Sequence, residues 1–329
     1  MTGARRSSAL SAAIISEKRK ISNKSAQPHC CPLQSPIMFL SAWIEGLTSH
    51  MVKKAQVELG ETPEVRKKAV QELTKLLNAE PNLKPRLEEK FLIRYLRAKK
   101  YNVSKAYKSL ICYYYFKSNY DGIFTNFKPS QLKHVLDMNC VSLLPLRNRD
   151  GASIGVLRLG NFDPSIASGE ELIATCLLCA EIGTDNEATI VCGSICVLDM
   201  QGFTFKKMLH FSSFNLISLF VASLQDCVAC RVKSLHVVNE PFYCTQVFKI
   251  AKKLMHKKLK ERLHFHGSNM ESLHEHLPQE ILPKYLGGHL SNNNEEYVAK
   301  MLSKESYFED INKYGYSSKF NRCRKSNVS

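Results

Sequence analysis

The clearest hydrophobic pattern in the chain lies within residues 231–267. Residues 235–238 form an apolar run of strand length, and Pro241 follows as a helix-start signal, because proline fits the first helical turn, where backbone N–H groups lack partners. Through 241–257, apolar residues recur at three- and four-residue steps while lysines fall on the other side. Residues 263–266 alternate between apolar side chains and histidines, as in a strand. The pattern predicts a βαβ unit whose helix is apolar on one side, cationic on the other, and can serve as a lid.

Strands that alternate with helices are also predicted upstream of this unit. The predicted strands lie at 141–146, 153–159 and 190–200, and the predicted helices at 170–182 and 207–226. Such alternation favours an α/β fold with a mostly parallel sheet and helices packed on it. A sheet with helices on one face only needs a cover for its other face. We expect the helix at 241–257 to supply that cover and to enclose an apolar cavity.

The rest of the chain divides by composition and periodicity. Residues 1–50 lack sustained periodicity and are rich in Ser, Ala, Lys and Arg, which predicts a disordered leader. A mitochondrial transit peptide, or a translation start at Met38 or Met51, is the alternative interpretation of that leader. The predicted organisation is a leader at 1–50, a small all-helical region at 51–125, the α/β domain at 126–290 and a partly mobile tail at 291–329.

The charge of the chain bears on its partners. Forty-six Lys and Arg against 30 Asp and Glu give a formal net charge of +16, which favours a polyanionic partner, either nucleic acid or the anionic face of a membrane. No apolar run reaches the ~18 residues that span a bilayer, so membrane attachment would be peripheral. The twelve cysteines are scattered through apolar segments, which predicts reduced, buried thiols in a cytosolic protein.

Metal and catalytic chemistry find little support in the sequence. The pairs Cys176-x-x-Cys179 and Cys227-x-x-Cys230 have zinc-site spacing, but an i, i+3 pair in an apolar helical run shares a core-facing side. The histidines and acids that could imitate a second metal site, without HExxH spacing, are His264, His266, His274, His276, Glu271 and Glu275. The chain has no P-loop and no GxGxxG motif. We therefore predict a binding protein with no metal, no cofactor and no enzymatic activity.

Six segments, taken in order, resemble one family. They are FLIRYLRAKKYNV at 91–103, VLRLGNFDPS at 156–165, VLDMQGF at 197–203, VNEP at 238–241, KLKERLHFHG at 258–267 and LPKYLGGHL at 282–290. Together they resemble the CRAL-TRIO (Sec14-like) lipid-transfer domain, most of all its branch of tocopherol-transfer, retinaldehyde-binding and clavesin proteins. The resemblance covers roughly residues 63–290. It implies one buried apolar lipid in a cavity below a lid helix, beside a helical N-terminal region.

The resemblance also assigns site residues. Arg231, Lys233, Lys258 and Arg262 match the family's basic positions that bind phosphoinositide headgroups, with Arg231 and Lys233 transposed in type relative to the commoner order. The residues matching the family's lipid pocket are Cys176, Ala180, Ser194, Leu198, Phe220, Ser223, Leu224, Val247 and Phe248. Cys176 and Ala180 stand where tocopherol-transfer members have serines, so a retinoid, another isoprenoid, a sterol-like lipid and a phospholipid all remain open as ligands.

The resulting expectation is a cytoplasmic protein that carries a small hydrophobic lipid between membranes. It would be monomeric, would attach peripherally to endosomal or other intracellular membranes through phosphoinositides, and would not bind nucleic acid. Three alternatives remain. The resemblance also allows a phosphoinositide-binding trafficking adaptor. The net charge alone would favour a basic nucleic-acid-binding protein, and the CxxC pairs alone a zinc or redox protein.

Overall fold

Four helices form the N-terminal part of the structure, a computed structural model that describes residues 39–119 and 128–317. They are α1 (Ser49–Leu59), α2 (Pro63–Asn78), α3 (Glu89–Ala98) and α4 (Val103–Asn119), with strand β1 (Leu83–Lys84) between α2 and α3. Thr48 and Thr62 accept a backbone N–H at the starts of α1 and α2, the usual role of an N-cap threonine. Apolar faces of α2, α3 and α4 meet in one core. The predicted helical character of this region is confirmed.

A five-stranded sheet follows the short helix α5 (Lys133–Asp137). Its strands are β2 (Val141–Leu143), β3 (Ser153–Arg158), β4 (Ser194–Asp199), β5 (Val232–Val238) and β6 (Leu263–Phe265), and they lie side by side in chain order. The pair β2–β3 is antiparallel, and the other three pairs are parallel. The predicted α/β fold with a mostly parallel sheet is therefore confirmed.

The helices between these strands differ in detail from the predicted ones. After α6 (Gly169–Asp185), residues predicted as the start of a strand instead complete α7 (Glu187–Cys192). Gly193, with φ of +86°, ends α7 in a conformation that other residues rarely adopt, so β4 begins only at Ser194. The single helix predicted at 207–226 is two helices, α8 (Phe205–Phe211) and α9 (Phe214–Ala222), followed by a π turn (Ser223–Cys227). Ser213 caps α9 and so separates the two.

The predicted lid is also divided. It consists of a 3-10 turn (Phe242–Cys244), helix α10 (Thr245–Leu254) and helix α11 (Lys257–Lys260), and we call α10 the lid. The expectation that the lid covers the opposite face of the sheet is wrong. The lid lies on the same face as α6 and α9, because Val247 and Phe248 contact the same cavity as residues of those helices.

The opposite face of the sheet is covered by the segment after β6. This segment contains α12 (Met270–His274) and two 3-10 turns, Gln279–Ile281 and Lys284–Leu286. Its buried leucines, among them Leu273 and Leu277, pack against Ile154 and Ile195 of the sheet. A second apolar layer therefore exists where the sequence suggested an uncovered face.

Residues 39–48 contact the α/β domain, although the sequence analysis placed them in a disordered leader. Ser41 forms a bridge with Leu146, and the fully buried Arg147 donates hydrogen bonds to the carbonyls of Ser41 (3.1 Å) and Ala42 (2.6 Å). A buried guanidinium requires acceptors, and this segment provides two of them. The remainder of the predicted leader, residues 1–38, lies outside the described residues.

The segment predicted as a mobile tail contributes to the core as far as residue 317. Helices α13 (Glu295–Leu302) and α14 (Glu305–Ile311) bury Tyr297, Met301, Phe308 and Ile311 in the core shared by α2, α3 and α4. Strand β7 (Gly315–Tyr316) then pairs with β1. Residues 318–329 lie outside the described residues.

Candidate functional site

A cavity of about 310 Å³ lies between the sheet and the helices α6, α9 and α10. The residues of the predicted lipid pocket that line it are Cys176, Ala180, Ser194, Leu198, Phe220, Leu224, Val247 and Phe248. Ser223 is not among the lining residues, and its hydroxyl donates to the carbonyl of Phe220 (2.8 Å). Five separate elements, α6, β4, α9, the π turn and α10, thus contribute to one wall.

Sulfur-containing side chains form much of that wall. Cys179, Cys196 and Cys230 line the cavity, as do methionines at 200, 208 and 255. Burial raises the pKa of Cys196 to about 11 and those of Cys179 and Cys230 to about 12, so these thiols are protonated at neutral pH and pack as small apolar groups. The sequence analysis missed Cys196, although its period-2 relation to Ser194 and Leu198 on β4 places all three on one face.

The few polar groups of the cavity wall are already paired within the protein. Ser153 Oγ and Ser194 Oγ share a hydrogen bond of 2.8 Å, and the Thr184 hydroxyl donates to the carbonyl of Glu181 (3.0 Å). Thr189 Oγ1 accepts from Arg147 (3.0 Å). A ligand in this cavity therefore need not supply polar partners to the wall.

The lid is amphipathic. Val247, Phe248 and Ala251 line the cavity, whereas Lys249 and Lys253 are exposed. The ring of Phe248 meets Phe265 of β6 edge to face, with centroids 4.9 Å apart. The lid therefore presents apolar side chains to the cavity and lysines to solvent.

One amide side chain fastens the C-terminal end of the lid. Gln225, in the π turn, donates from Nε2 to the carbonyl of Leu254 (3.2 Å) and accepts from the backbone N–H of His256 (3.0 Å). One amide therefore satisfies both the Leu254 carbonyl, which the end of the helix leaves free, and a backbone N–H of the turn that follows.

The four predicted basic residues meet at one end of the sheet. Arg231 and Lys233 lie at the start of β5, Lys258 lies in α11, and Arg262 precedes β6 and donates to the carbonyl of Val232 in β5. Burial lowers the pKa of Lys258, and the positive charges of Arg262, Lys100, Arg231 and Lys233 lower it further. Lys100 thus adds to the field of this basic cluster, which we define as Arg231, Lys233, Lys258 and Arg262.

An acidic side chain from α1 enters the basic cluster. Glu58 Oε2 lies 3.3 Å from Arg231 Nη1 and 3.4 Å from Lys233 Nζ, and Glu58 Oε1 lies 3.7 Å from Lys54 Nζ. Burial and the charge of Arg231 lower the pKa of Lys233, and Glu58 offsets only part of that effect. No local sequence pattern points to this carboxylate, because Glu58 and Arg231 are 173 positions apart in the chain.

Exposed apolar side chains flank the other end of the lid. Phe242 is 89% exposed, and Phe205 and Leu209 are 54% and 56% exposed. Phe205 and Phe242 both contact the ring of Tyr243, with centroids 5.6 and 5.5 Å away. Leu209 follows Phe205 by one helical turn on α8 and so shares its side of the helix. We call Phe205, Leu209 and Phe242 the apolar rim; the sequence does not predict it, because periodicity does not report exposure.

No single helix in residues 39–119 and 128–317 is long and apolar enough to cross a membrane. The helices at Phe205–Phe211 and Phe214–Cys227, bent by 71°, pass that test together on length and composition alone.

Four histidines lie under the sheet face opposite the cavity. The ring centroid of His236 is 5.0 to 5.2 Å from those of His264, His266 and His276, and His236 Nδ1 lies 2.9 Å from His266 Nε2. Burial and the neighbouring imidazoles lower the pKa of His236 to about 3. Within the described part of the chain, no group of three or more His, Cys, Asp or Glu side chains could hold a metal ion.

Comparison with known proteins gives the chain its family. A model of the CRAL/TRIO domain matches residues 137–288, and a model of the Pinta-like UBA domain matches residues 62–134. The alpha-tocopherol transfer protein-like protein of Homo sapiens is 36% identical over 247 residues, which are 75% of this chain and 72% of that protein.

Clavesin-1 of Rattus norvegicus is 28% identical over 276 residues, 83% of this chain and 77% of its own. The crystal structure of Sfh5 aligns with 82% of this chain and 97% of its own at 12% identity, with a TM-score of 0.43. The matched domain and the identity to the human relative show that this chain belongs to the CRAL/TRIO family of lipid-binding proteins.

Proposed function

We propose that this protein binds one small hydrophobic lipid and delivers it at membranes that display phosphoinositides. The observation that carries the proposal is the cavity of about 310 Å³, whose wall includes the apolar side of the amphipathic lid. Burying apolar surface contributes about 25 cal/mol per Å², so a hydrophobic ligand is held until a bilayer offers it an equally apolar environment. The protein acts by binding and release, without chemical turnover.

The ligand class follows from the paired polar groups of the wall. Ser153, Ser194 and Thr189 already have hydrogen-bond partners in the protein, and the cavity cysteines are protonated. A phosphate or zwitterionic headgroup placed in this cavity would lose its hydration without compensation. A tocopherol-, retinoid- or other isoprenoid-like lipid therefore suits the cavity better than a phospholipid does.

Two surfaces at the ends of the lid support membrane docking. The ten residues of α10 span about 15 Å. The apolar rim flanks the start of the lid, and the basic cluster follows its end, so both can meet one bilayer when the lid lies along the bilayer surface. Each basic residue near an anionic surface contributes about 1 kcal/mol of attraction. We propose that the basic cluster binds the phosphoinositide headgroup while the rim enters the acyl region.

The proposed setting is the cytoplasmic face of endosomal or other intracellular membranes, with the protein acting as a monomer. The cytoplasmic leaflet carries the anionic lipids that the lysines of the lid and the basic cluster would meet. One chain provides the cavity, the lid and both docking surfaces, so the proposed mechanism needs no second copy.

The experiment that tests the proposal is mass spectrometry of an organic extract of the purified protein, followed by a transfer assay between vesicles. We expect one apolar, isoprenoid-like species in at most equimolar amount, and transfer that is faster when acceptor vesicles contain phosphatidylinositol bisphosphate. An extract no richer than that of an unrelated globular protein, even after incubation with mixed lipids, would refute the binding function. Equal transfer to acceptors with and without the phosphoinositide would refute the docking step.

A further inference from the structure

The basic cluster already holds an anion that belongs to the protein. Glu58 pairs with both Arg231 (3.3 Å) and Lys233 (3.4 Å), the two basic residues at the start of β5. Glu58 belongs to α1 (Ser49–Leu59), which precedes both segments matched by the family models, 62–134 and 137–288. The arrangement is therefore a feature of this chain that the matched domains do not include.

The backbone that carries Glu58 is firmly placed. Met51, Ala55 and Leu59 of α1 are buried in one apolar cluster with Val191 and Cys192 of α7. Lys54 donates to the carbonyl of Asp150 (3.0 Å) and adds a polar contact to this packing. Because α1 is anchored in this way, Glu58 can leave the basic cluster by a side-chain rotation alone.

Glu58 is ionised and within reach of solvent. Burial raises its pKa, but the charges of Lys233, Lys54 and Arg231 outweigh burial and hold that pKa below its usual value. The side chain is 37% exposed. Glu58 does not pair every donor of the basic cluster. The buried Nε–H of Arg231 has no hydrogen-bond partner among the described residues.

The valence of a competing anion decides whether it can replace Glu58. A headgroup with one net negative charge offers the cluster no more charge than Glu58 does, and Glu58 is already positioned beside Arg231 and Lys233. A headgroup with phosphomonoesters carries several charges and more acceptor oxygens, so it gains more from the surrounding cations than it loses by displacing one carboxylate. Lys258, Arg262 and Lys100 supply the additional positive field.

We propose that Glu58 is an internal counter-anion that restricts the basic cluster to multiply phosphorylated inositol headgroups in a membrane. The inference deepens the proposed function and rests on it, because it takes the basic cluster as the headgroup site. Singly charged lipids such as phosphatidylserine attract the protein to the surface but do not displace Glu58. A multiply charged headgroup displaces Glu58 and takes its place between Arg231 and Lys233.

The test compares the Glu58→Gln variant with wild type on two sets of vesicles. One set contains phosphatidylcholine with phosphatidylserine, and the other contains phosphatidylcholine with phosphatidylinositol bisphosphate at matched surface charge. We expect Glu58→Gln to bind the phosphatidylserine vesicles roughly tenfold more tightly and the bisphosphate vesicles only about two- to threefold more tightly, so that selectivity falls. Glu72→Gln, which removes the same charge from an exposed position on α2, serves as the matched control and should leave both affinities unchanged.

The outcomes separate the inference from the proposed function. If wild type binds bisphosphate vesicles selectively and Glu58→Gln keeps that selectivity, the inference is overturned and the proposed function stands. If neither protein prefers bisphosphate vesicles, the docking step of the proposed function fails and the inference fails with it. Soluble inositol trisphosphate should displace both proteins from bisphosphate vesicles. A lack of displacement would show that the cluster responds to surface charge and not to the headgroup, which also overturns the inference.

Discussion

A charge placed at position 248 tests the cavity wall at the scale of one residue. Phe248 lines the cavity and packs against Phe265, so a carboxylate there would lie in an apolar wall without a partner. We expect Phe248→Asp to lower the affinity for a fluorescent apolar ligand by at least about tenfold in a titration without membranes. Gln246→Asp introduces the same group at an exposed position of the lid and should bind the ligand as wild type does. Equal losses in the two variants would argue against Phe248 as a ligand contact.

His236 should make the stability of the fold depend on pH. Its pKa is lowered to about 3 in the folded state, whereas a histidine in an unfolded chain titrates near pH 6.5. Below about pH 6.5 the unfolded state therefore binds the extra proton, and the free energy of unfolding falls as the pH decreases towards 3. We expect His236→Gln, measured by urea denaturation, to reduce the loss between pH 7.5 and 4.5 by about 2 kcal/mol.

The surroundings of His236 define the controls for that measurement. Ser234, His264, His266 and His276 all face its ring, and Glu275 lies close enough to His266 to oppose the lowering of the His266 pKa. His210→Gln removes an exposed histidine and should leave the pH dependence unchanged. Identical pH profiles for His236→Gln and wild type would show that His236 does not control the effect.

Individual site residues were predictable where a local pattern determines which side of an element they occupy. The apolar repeat of the lid placed Val247 and Phe248 together, and both line the cavity. Glu58 and Lys100 interact electrostatically with the basic cluster but lie far from it in sequence. No local pattern therefore connects them to it. Ser223 was assigned to the pocket by alignment with the family, but alignment could not show that its hydroxyl donates to the carbonyl of Phe220.

At the scale of the element, hydrophobic period and turn signals predicted the strands and the lid. They did not predict where some elements begin and end, nor the helices after residue 290. Residues 190–192 are as apolar as a buried strand, yet Asn186 caps a helix that runs through them to Gly193. The helices after residue 290 are short and lie in a segment rich in Asn, Glu and Lys, so their few core residues were not distinguished from a polar tail. Tertiary packing determines structure in both places.

Removing the side chain of Met301 tests whether α13 belongs to the core. Met301 is fully buried in the cluster that α13 shares with α2, α3 and α4. We expect Met301→Ala to lower the free energy of unfolding by about 2 to 4 kcal/mol, from lost burial and the cavity left behind. Val57→Ala, at a position that is 77% exposed, should change it by less than about 0.5 kcal/mol. A comparably small effect for Met301→Ala would show that α13 packs only loosely.

At the scale of the whole molecule, docking and ligand uptake are predicted to be separable. The cluster residues Arg231, Lys233, Lys258 and Arg262 are not among those that line the cavity. Replacing all four with Ala should reduce co-sedimentation with phosphoinositide vesicles by at least about tenfold, since each cation near the surface contributes about 1 kcal/mol. The same variant should bind a soluble apolar ligand within about twofold of wild type.

A control with the same change in net charge distinguishes the effect of losing the basic cluster from the effect of lowering the net charge. Replacing the exposed Lys67, Lys68, Lys75 and Lys105 of the helical region with Ala removes four positive charges elsewhere. That variant should retain selective binding to phosphoinositide vesicles and show only a general weakening at low salt. If the cluster variant lost soluble ligand binding and kept vesicle binding, the assignment of the two surfaces would be reversed.

The side-chain amide of Gln225 affects the rate at which the lid opens. Both ends of the lid continue into neighbouring parallel strands, β5 and β6, so the lid can lift only as a tethered segment while the strands remain paired. The two hydrogen bonds from Gln225 to Leu254 and His256 must break whenever its C-terminal end lifts. If the ligand leaves by that end of the lid, its dissociation can be no faster than that event, and its residence time in water then depends on a side chain that need not touch the ligand.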